Sequence, residues 1–157
     1  MKNLPLLMLM LILALTSCTT TKVERQAAND FRGDWTLNQI VSDEGQSVVI
    51  TKLFGDAPLE CFEGSTWHLV ANNNSGTYTL SGAGCDTAEK PIKWYVEEDG
   101  NLTYFWFKQL QESMKAKDVL SGYKMQLVTV DESQAHLMQE VPFEGGKMNI
   151  HYYFTKQ

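Results

Sequence analysis

No stretch of this chain is apolar for long enough to cross a bilayer as a helix, no basic patch is present, and only three of its 157 residues are cysteine. The longest apolar run, Leu4 to Leu15 broken only by Pro5, spans about 12 residues against the roughly 20 that a spanning helix needs. Lys and Arg number 13 against 19 Asp and Glu, which leaves nothing to neutralise a phosphate backbone and argues against a nucleic-acid partner. His-Glu-x-x-His, Gly-x-Ser-x-Gly, a glycine-rich phosphate loop and a dense carboxylate cluster are all missing. Glu97 and Glu98 precede a turn and read as solvated, and His68, His136 and His151 are scattered. Neither an enzyme nor a metal or cofactor site is expected.

What the short apolar run does fit is an export signal, with Lys2 as its positive start and small or polar residues at its end. The closing residues, Leu15, Thr16, Ser17 and Cys18, resemble the lipobox of bacterial lipoproteins. That resemblance implies cleavage before Cys18, a diacylglycerol on its sulfur and usually an acyl chain, palmitate being typical, on its new amino group. The expected divisions are a signal peptide over 1–17, a lipidated Cys18 with a polar tether over 18–30, and one domain over 31–157. Thr19 is neutral, which in lipoproteins accompanies the outer membrane. The alternative is an ordinary secreted chain in which Cys18 is incidental. With Lys2 removed, 12 basic and 19 acidic residues remain, a net charge of −7.

Once Cys18 carries lipid, Cys61 and Cys85 are left in an oxidising compartment, where a disulfide between them is expected. A metal pair would need further Cys or His at ligand spacing, and a reactive thiol a basic neighbourhood; neither is visible.

From Phe31 onward the pattern alternates with period two. It places Trp35, Leu37 and Val41 on one face, then Trp67, Leu69 and Ala71, Tyr78 and Leu80, Ile92, Trp94 and Val96, Tyr123, Met125 and Leu127, and finally Met148, Ile150, Tyr152 and Phe154. His68 and His151 fall on the opposite faces, and the facing of His136 is ambiguous. Turn chemistry separates the runs: Asn72 to Gly76, Glu98 to Asn101, Asp131 to Gln134 and Glu144 to Lys147 supply the Asn, Asp and Gly of tight hairpins. Runs near 34–42, 47–53, 64–71, 75–81, 91–97, 101–108, 121–130, 134–140 and 147–155 predict eight or nine antiparallel up-and-down strands. A meander of that length leaves open edges unless it closes, so an all-β barrel is expected. Only Gln109 to Leu120 breaks the rhythm, as a short helix or a lid-like loop.

Gly33 and Trp35 at the start of the first run form the Gly-x-Trp pattern that opens lipocalins. Lipobox, Gly-x-Trp, a cysteine ahead of "STWHL", an Asn-rich turn before "GTYTL", a second cysteine and then "IKWYV" together resemble the short lipocalin-like lipoproteins of Bacteroidota. The resemblance implies a lipocalin-like barrel with Gly33 and Trp35 as structural residues at one end and a basic residue, here Lys156, packed over the tryptophan. The chain lacks a Thr-Asp-Tyr motif and has no room for a helix after Phe154, departures that bear on deep ligand binding.

An eight-stranded barrel is just wide enough to be filled by side chains or to hold one small ligand. The inward candidates are Trp67, Tyr78, Trp94, Tyr123, Met125 and Tyr152, with Tyr104 and Trp106 added from "LTYFWF", or Phe105 and Phe107 in the other register. These rings either fill the core or line a pocket for a small apolar molecule. The first functional expectation is therefore a membrane-anchored envelope protein holding such a ligand. The second is an envelope interaction protein, similar to periplasmic lysozyme inhibitors, with a filled core and contacts through loops such as Leu53 to Glu63 or Gly82 to Lys90. An acidic balance suits a basic protein partner there. Asp86-Thr87-Ala88 resembles the O-glycosylation sequon of exported Bacteroidota proteins, with Thr87 as acceptor. Asn73 and Asn101 match the eukaryotic N-glycan sequon, which is empty in a bacterial lipoprotein.

Overall fold

The alternation is realised as eight strands. In the computed structural model, which describes residues 20–43, 50–111, 117, 121–143 and 145–157, they are β1 (Gly33–Ser42), β2 (Thr66–Val70), β3 (Ser75–Thr79), β4 (Lys90–Asp99), β5 (Leu102–Gln109), β6 (Tyr123–Val130), β7 (Gln134–Phe143) and β8 (Gly146–Lys156). Each is antiparallel to the next and β8 pairs back with β1, closing an up-and-down, lipocalin-like barrel in chain order. Closure satisfies the two edges that an open meander would expose. The hairpin turns fall where Asn, Asp and Gly predicted them: Asn74, Gly100 and Gly145 take positive φ at the β2–β3, β4–β5 and β7–β8 turns. At β6–β7 the Asp131 carboxylate accepts from the backbone N–H groups of Ser133 and Gln134.

The run at 47–53 makes no ninth strand among the described residues; Leu53 forms an isolated bridge to Ala57, and positions 44–49 lie outside them. The expected helix or lid at Gln109 to Leu120 also falls mostly outside: Gln109 ends β5, and 112–116 and 118–120 are not described. In β1 the pairing shifts between Leu37 and Gln39. One extra residue in a strand turns every later side chain to the other face, so Ile40 and Ser42 are buried and Val41 is not, against expectation.

The polar segment expected as a tether over 18–30 is instead helical from Lys22. Helix α1 (Lys22–Phe31) starts at a capping box in which the Thr21 hydroxyl accepts from Glu24 N–H and the Glu24 carboxylate accepts from Thr21 N–H. Its apolar face is narrow but sufficient: Ala27 and Phe31 are buried, and the Phe31 ring lies 5.0 Å from Phe105 and 5.9 Å from Trp35. The helix closes one barrel end, where Trp35 Nε1 donates to Phe31 O at 2.7 Å. Lys156 Nζ lies 5.0 Å over the Trp35 ring and donates to Asp30 O, the arrangement that the resemblance implies. Gly33 sits there at φ +120, and any Cβ on it would meet the Lys156 stem at 3.1 Å.

At the other end a single helical turn, α2 (Leu59–Phe62), carries Cys61 into its disulfide with Cys85, with the Cα atoms 5.7 Å apart. The bridge encloses a sequence separation of 24 residues. Replacing both cysteines by Ser is expected to cost about 3–4 kcal/mol on the chain-entropy account. The check is a lower urea midpoint than the parent's; an unmoved midpoint would show that the bridge contributes nothing.

Candidate functional site

Inside the barrel, Trp67, Tyr78, Trp94, Met125 and Tyr152 are all buried and Tyr123 packs against them half-buried. Tyr104 and Trp106 are not there. The pairs Val96–Phe105 and Trp94–Phe107 set the β4–β5 register and put Phe105 and Phe107 inside, which turns Tyr104 and Trp106 to the outer wall. On that wall the Trp106 and Tyr95 rings lie parallel within 7°, and Lys124 Nζ stands 3.8 Å from the centre of the Tyr104 ring.

Among the described residues the interior is closely packed. The void among Phe31, Trp35, Phe54, Trp67, Phe105 and Met125 measures about 10 Å³, room for one water at most, whereas small-molecule pockets run from about 300 to 1,000 Å³. The interior polar groups are also spent on one another. Trp67 Nε1 donates to Ser65 Oγ and Trp94 Nε1 to Ser75 O, while Tyr152 OH donates to Gln139 Oε1.

Leu53 to Glu63, expected as a contact loop, instead folds into the barrel mouth. Phe54, Leu59, Cys61 and Phe62 are buried. Phe54 lies 5.0–5.5 Å from the rings of Phe62, Phe107, Tyr123 and Tyr152 and plugs the end opposite α1. Behind it Asp56 anchors the loop: its carboxylate accepts from Lys90 Nζ at 2.7 and 2.8 Å and from Tyr78 OH at 2.5 Å, and Gln109 Nε2 donates to that hydroxyl. Gly55 is fixed by fit, since a Cβ there would lie 2.7 Å from Tyr123 Oη.

Burial pushes the Tyr78 and Tyr152 phenols up, and Asp56 adds to the shift at Tyr78. A phenol held protonated in the fold contributes stability that is complete below about pH 10 and is lost as pH rises toward the raised value. Urea midpoints are therefore expected to fall as pH rises above about 10 in the parent and less steeply in Tyr152→Phe. Equal slopes for the two proteins would refute the assignment.

All three histidines face outward. His68 Nδ1 meets Asp34 at 2.6 Å in an exposed pair. The β7–β8 register, which pairs His136 with Tyr153 and Met138 with His151, brings His136 and His151 together diagonally. His136 Nε2 and His151 Nδ1 are 2.8 Å apart, and His151 Nε2 meets Asp43 Oδ1 at 2.6 Å. The His151 contact holds the Asp43 carboxyl below its usual range, and burial, then His151, lowers the His136 imidazole. This cluster was readable by counting outward from the Gly145 turn, but not from strands taken singly.

Among the described residues, grooves of about 400 and 420 Å³ lie open on the outer surface. Tyr104, Lys124, Gln126, Met138, Gln139, Glu140 and Asn149 line one, and the other lies between α1 and the β2–β3 turn, with Arg25 and Arg32. The loop from Gly82 to Glu89 is exposed except at Cys85, with Thr87 at its surface and the Asp86 carboxylate accepting from Ala88 N–H. Cys18 and residues 1–17, expected as an export signal, lie outside the described residues, among which no helix is long and apolar enough to cross a membrane. In comparisons with known proteins the chain matches no family model and no curated protein.

Proposed function

We propose that this is a lipid-anchored bacterial envelope protein, held in the outer membrane through Cys18, whose barrel is a filled scaffold and whose binding surface lies outside it. The observation that carries the reading is the 10 Å³ void, with the Phe54 ring and the other core side chains occupying the volume a ligand would need. The anchor adds orientation. Cys18 stands four residues ahead of Lys22, a reach of at most about 14 Å, so the end closed by α1 stands next to the bilayer. The plugged end faces away, with the Gly82–Glu89 loop pinned to α2 by the Cys61–Cys85 bridge. Glu60, Asp86 and Glu89 are exposed there, and the partner that suits them is a basic envelope protein, in the manner of a lysozyme inhibitor.

The test of the filled interior is a titration of the full chain with retinol, a fatty acid and a long-chain isoprenoid, reading the fluorescence of the buried Trp67 and Trp94. No saturable change is expected. Saturation at one equivalent, lost in a Trp67 or Trp94 variant, would restore the ligand-holding reading.

A further inference from the structure

The pair formed by His136 and His151 is backed on one side by a carboxylate. A carboxylate only accepts, so His151 Nε2 carries its proton toward Asp43 Oδ1 at 2.6 Å. In the neutral form that binds a metal, a ring with Nε2 protonated presents a lone pair at Nδ1, and His151 Nδ1 stands 2.8 Å from His136 Nε2. Asn149 Nδ2 donates to the second Asp43 oxygen at 2.8 Å, which locks the carboxylate and with it the tautomer and tilt of the His151 ring. A histidine oriented from behind by a carboxylate is how proteins present imidazole to a metal ion.

From this arrangement we propose that His136 Nε2 and His151 Nδ1 bind one divalent transition-metal ion on the outer wall, Cu(II) more tightly than Zn(II), with Asp43 as the positioning carboxylate. Two nitrogens each about 2.0 Å from a metal and at right angles around it stand about 2.8 Å apart, the separation already present. Binding requires the rings, whose centres are 5.0 Å apart, to tip until both lone pairs converge. From two neutral rings, any proton on His136 Nε2 passes to Nδ1 through solvent, so two nitrogen–metal bonds form and no net proton is released. Met138, opposite His151 in the register, places a thioether beside the site, and Tyr153 stacks on His136 at 4.4 Å. No cage of three or more His, Cys, Asp or Glu side chains exists among the described residues, so water completes the coordination. Two imidazoles with water favour the metal at the top of the Irving–Williams order.

The experiment is calorimetric titration of the untagged full chain with Cu(II) and separately Zn(II), in a Cys18→Ala background that removes the remaining thiol, with electron paramagnetic resonance of the copper form. One equivalent of Cu(II) is expected to bind in the micromolar range with hyperfine structure from two nitrogens, and Zn(II) about tenfold or more weaker. His136→Asn and His151→Asn should each weaken Cu(II) at least tenfold, Asp43→Asn about tenfold, and His68→Asn not at all. Variants enter the comparison with parental near-ultraviolet circular dichroism. Absence of a one-to-one complex in the parent, a spectrum with fewer than two nitrogens, or affinity unchanged in both histidine variants would overturn the proposal.

Discussion

Phe54→Ala is expected to lower the unfolding free energy by about 3–5 kcal/mol, equivalent to roughly 10–15 °C in Tm. The ring is 4% exposed and lies within 5.5 Å of four other aromatic centroids, so its removal leaves a hole that neighbours on separate strands cannot all move to fill. Its backbone sits at φ +49, a left-handed conformation that a residue with a Cβ adopts at a cost of about 1–2 kcal/mol. Packing of the ring, with the Asp56–Lys90 contact behind it, offsets that cost. Alanine keeps the strain and loses the packing. The measurement is equilibrium urea unfolding, with the midpoint falling and the slope unchanged. A loss below about 1 kcal/mol would mean that Phe54 is a lid resting on the mouth and not part of the core.

Cys18→Ala should move the protein out of the membrane fraction altogether. One acyl chain gives only marginal membrane binding, whereas two or three make the attachment effectively permanent, at about 0.8 kcal/mol per buried methylene. The parent should therefore pellet with membranes through high salt and leave only with detergent, incorporate labelled palmitate, and begin at Cys18. The variant should do none of these, because the apolar segment from Leu4 to Leu15 is about 12 residues long and too short to hold a chain across the bilayer. Membrane partitioning unchanged in the variant would sink the lipobox reading and the orientation built on it.

The parts of the fold visible in advance are those where one face is apolar and the other is not. Trp67 and Leu69 flank an exposed His68, and Ile92, Trp94 and Val96 alternate with Lys93, Tyr95 and Glu97; period two then has a phase and names the core. "LTYFWF" has apolar side chains on both faces, so it has no phase, and only pairing with β4 sends Phe105 and Phe107 inward. The bulge after Leu37 left no local mark, because an extra Asn38 looks like any other polar strand residue. Helix α1 was legible in principle: Thr21 and Glu24 have the spacing of a capping box, and Val23, Ala27 and Phe31 recur at helical spacing, but the mostly polar composition of the segment reads first as a tether. At the candidate sites the pattern located the interior rings yet could not say whether they leave space, since that depends on Phe54 arriving from a loop. It also missed the His136–His151–Asp43 cluster, which exists only through the registers of β7 with β8 and of β8 with β1.

Native mass spectrometry of the full chain produced in an exporting bacterial host, followed by solvent extraction of the same sample, tests the filled-barrel claim most directly. The expected spectrum contains the polypeptide with its covalent lipid and no further mass, and the extract contains no stoichiometric compound, even after incubation with envelope lipids. A lipid, isoprenoid or pigment recovered at one per chain would contradict it and make the interior lined by Trp67, Trp94 and Phe54 the functional site.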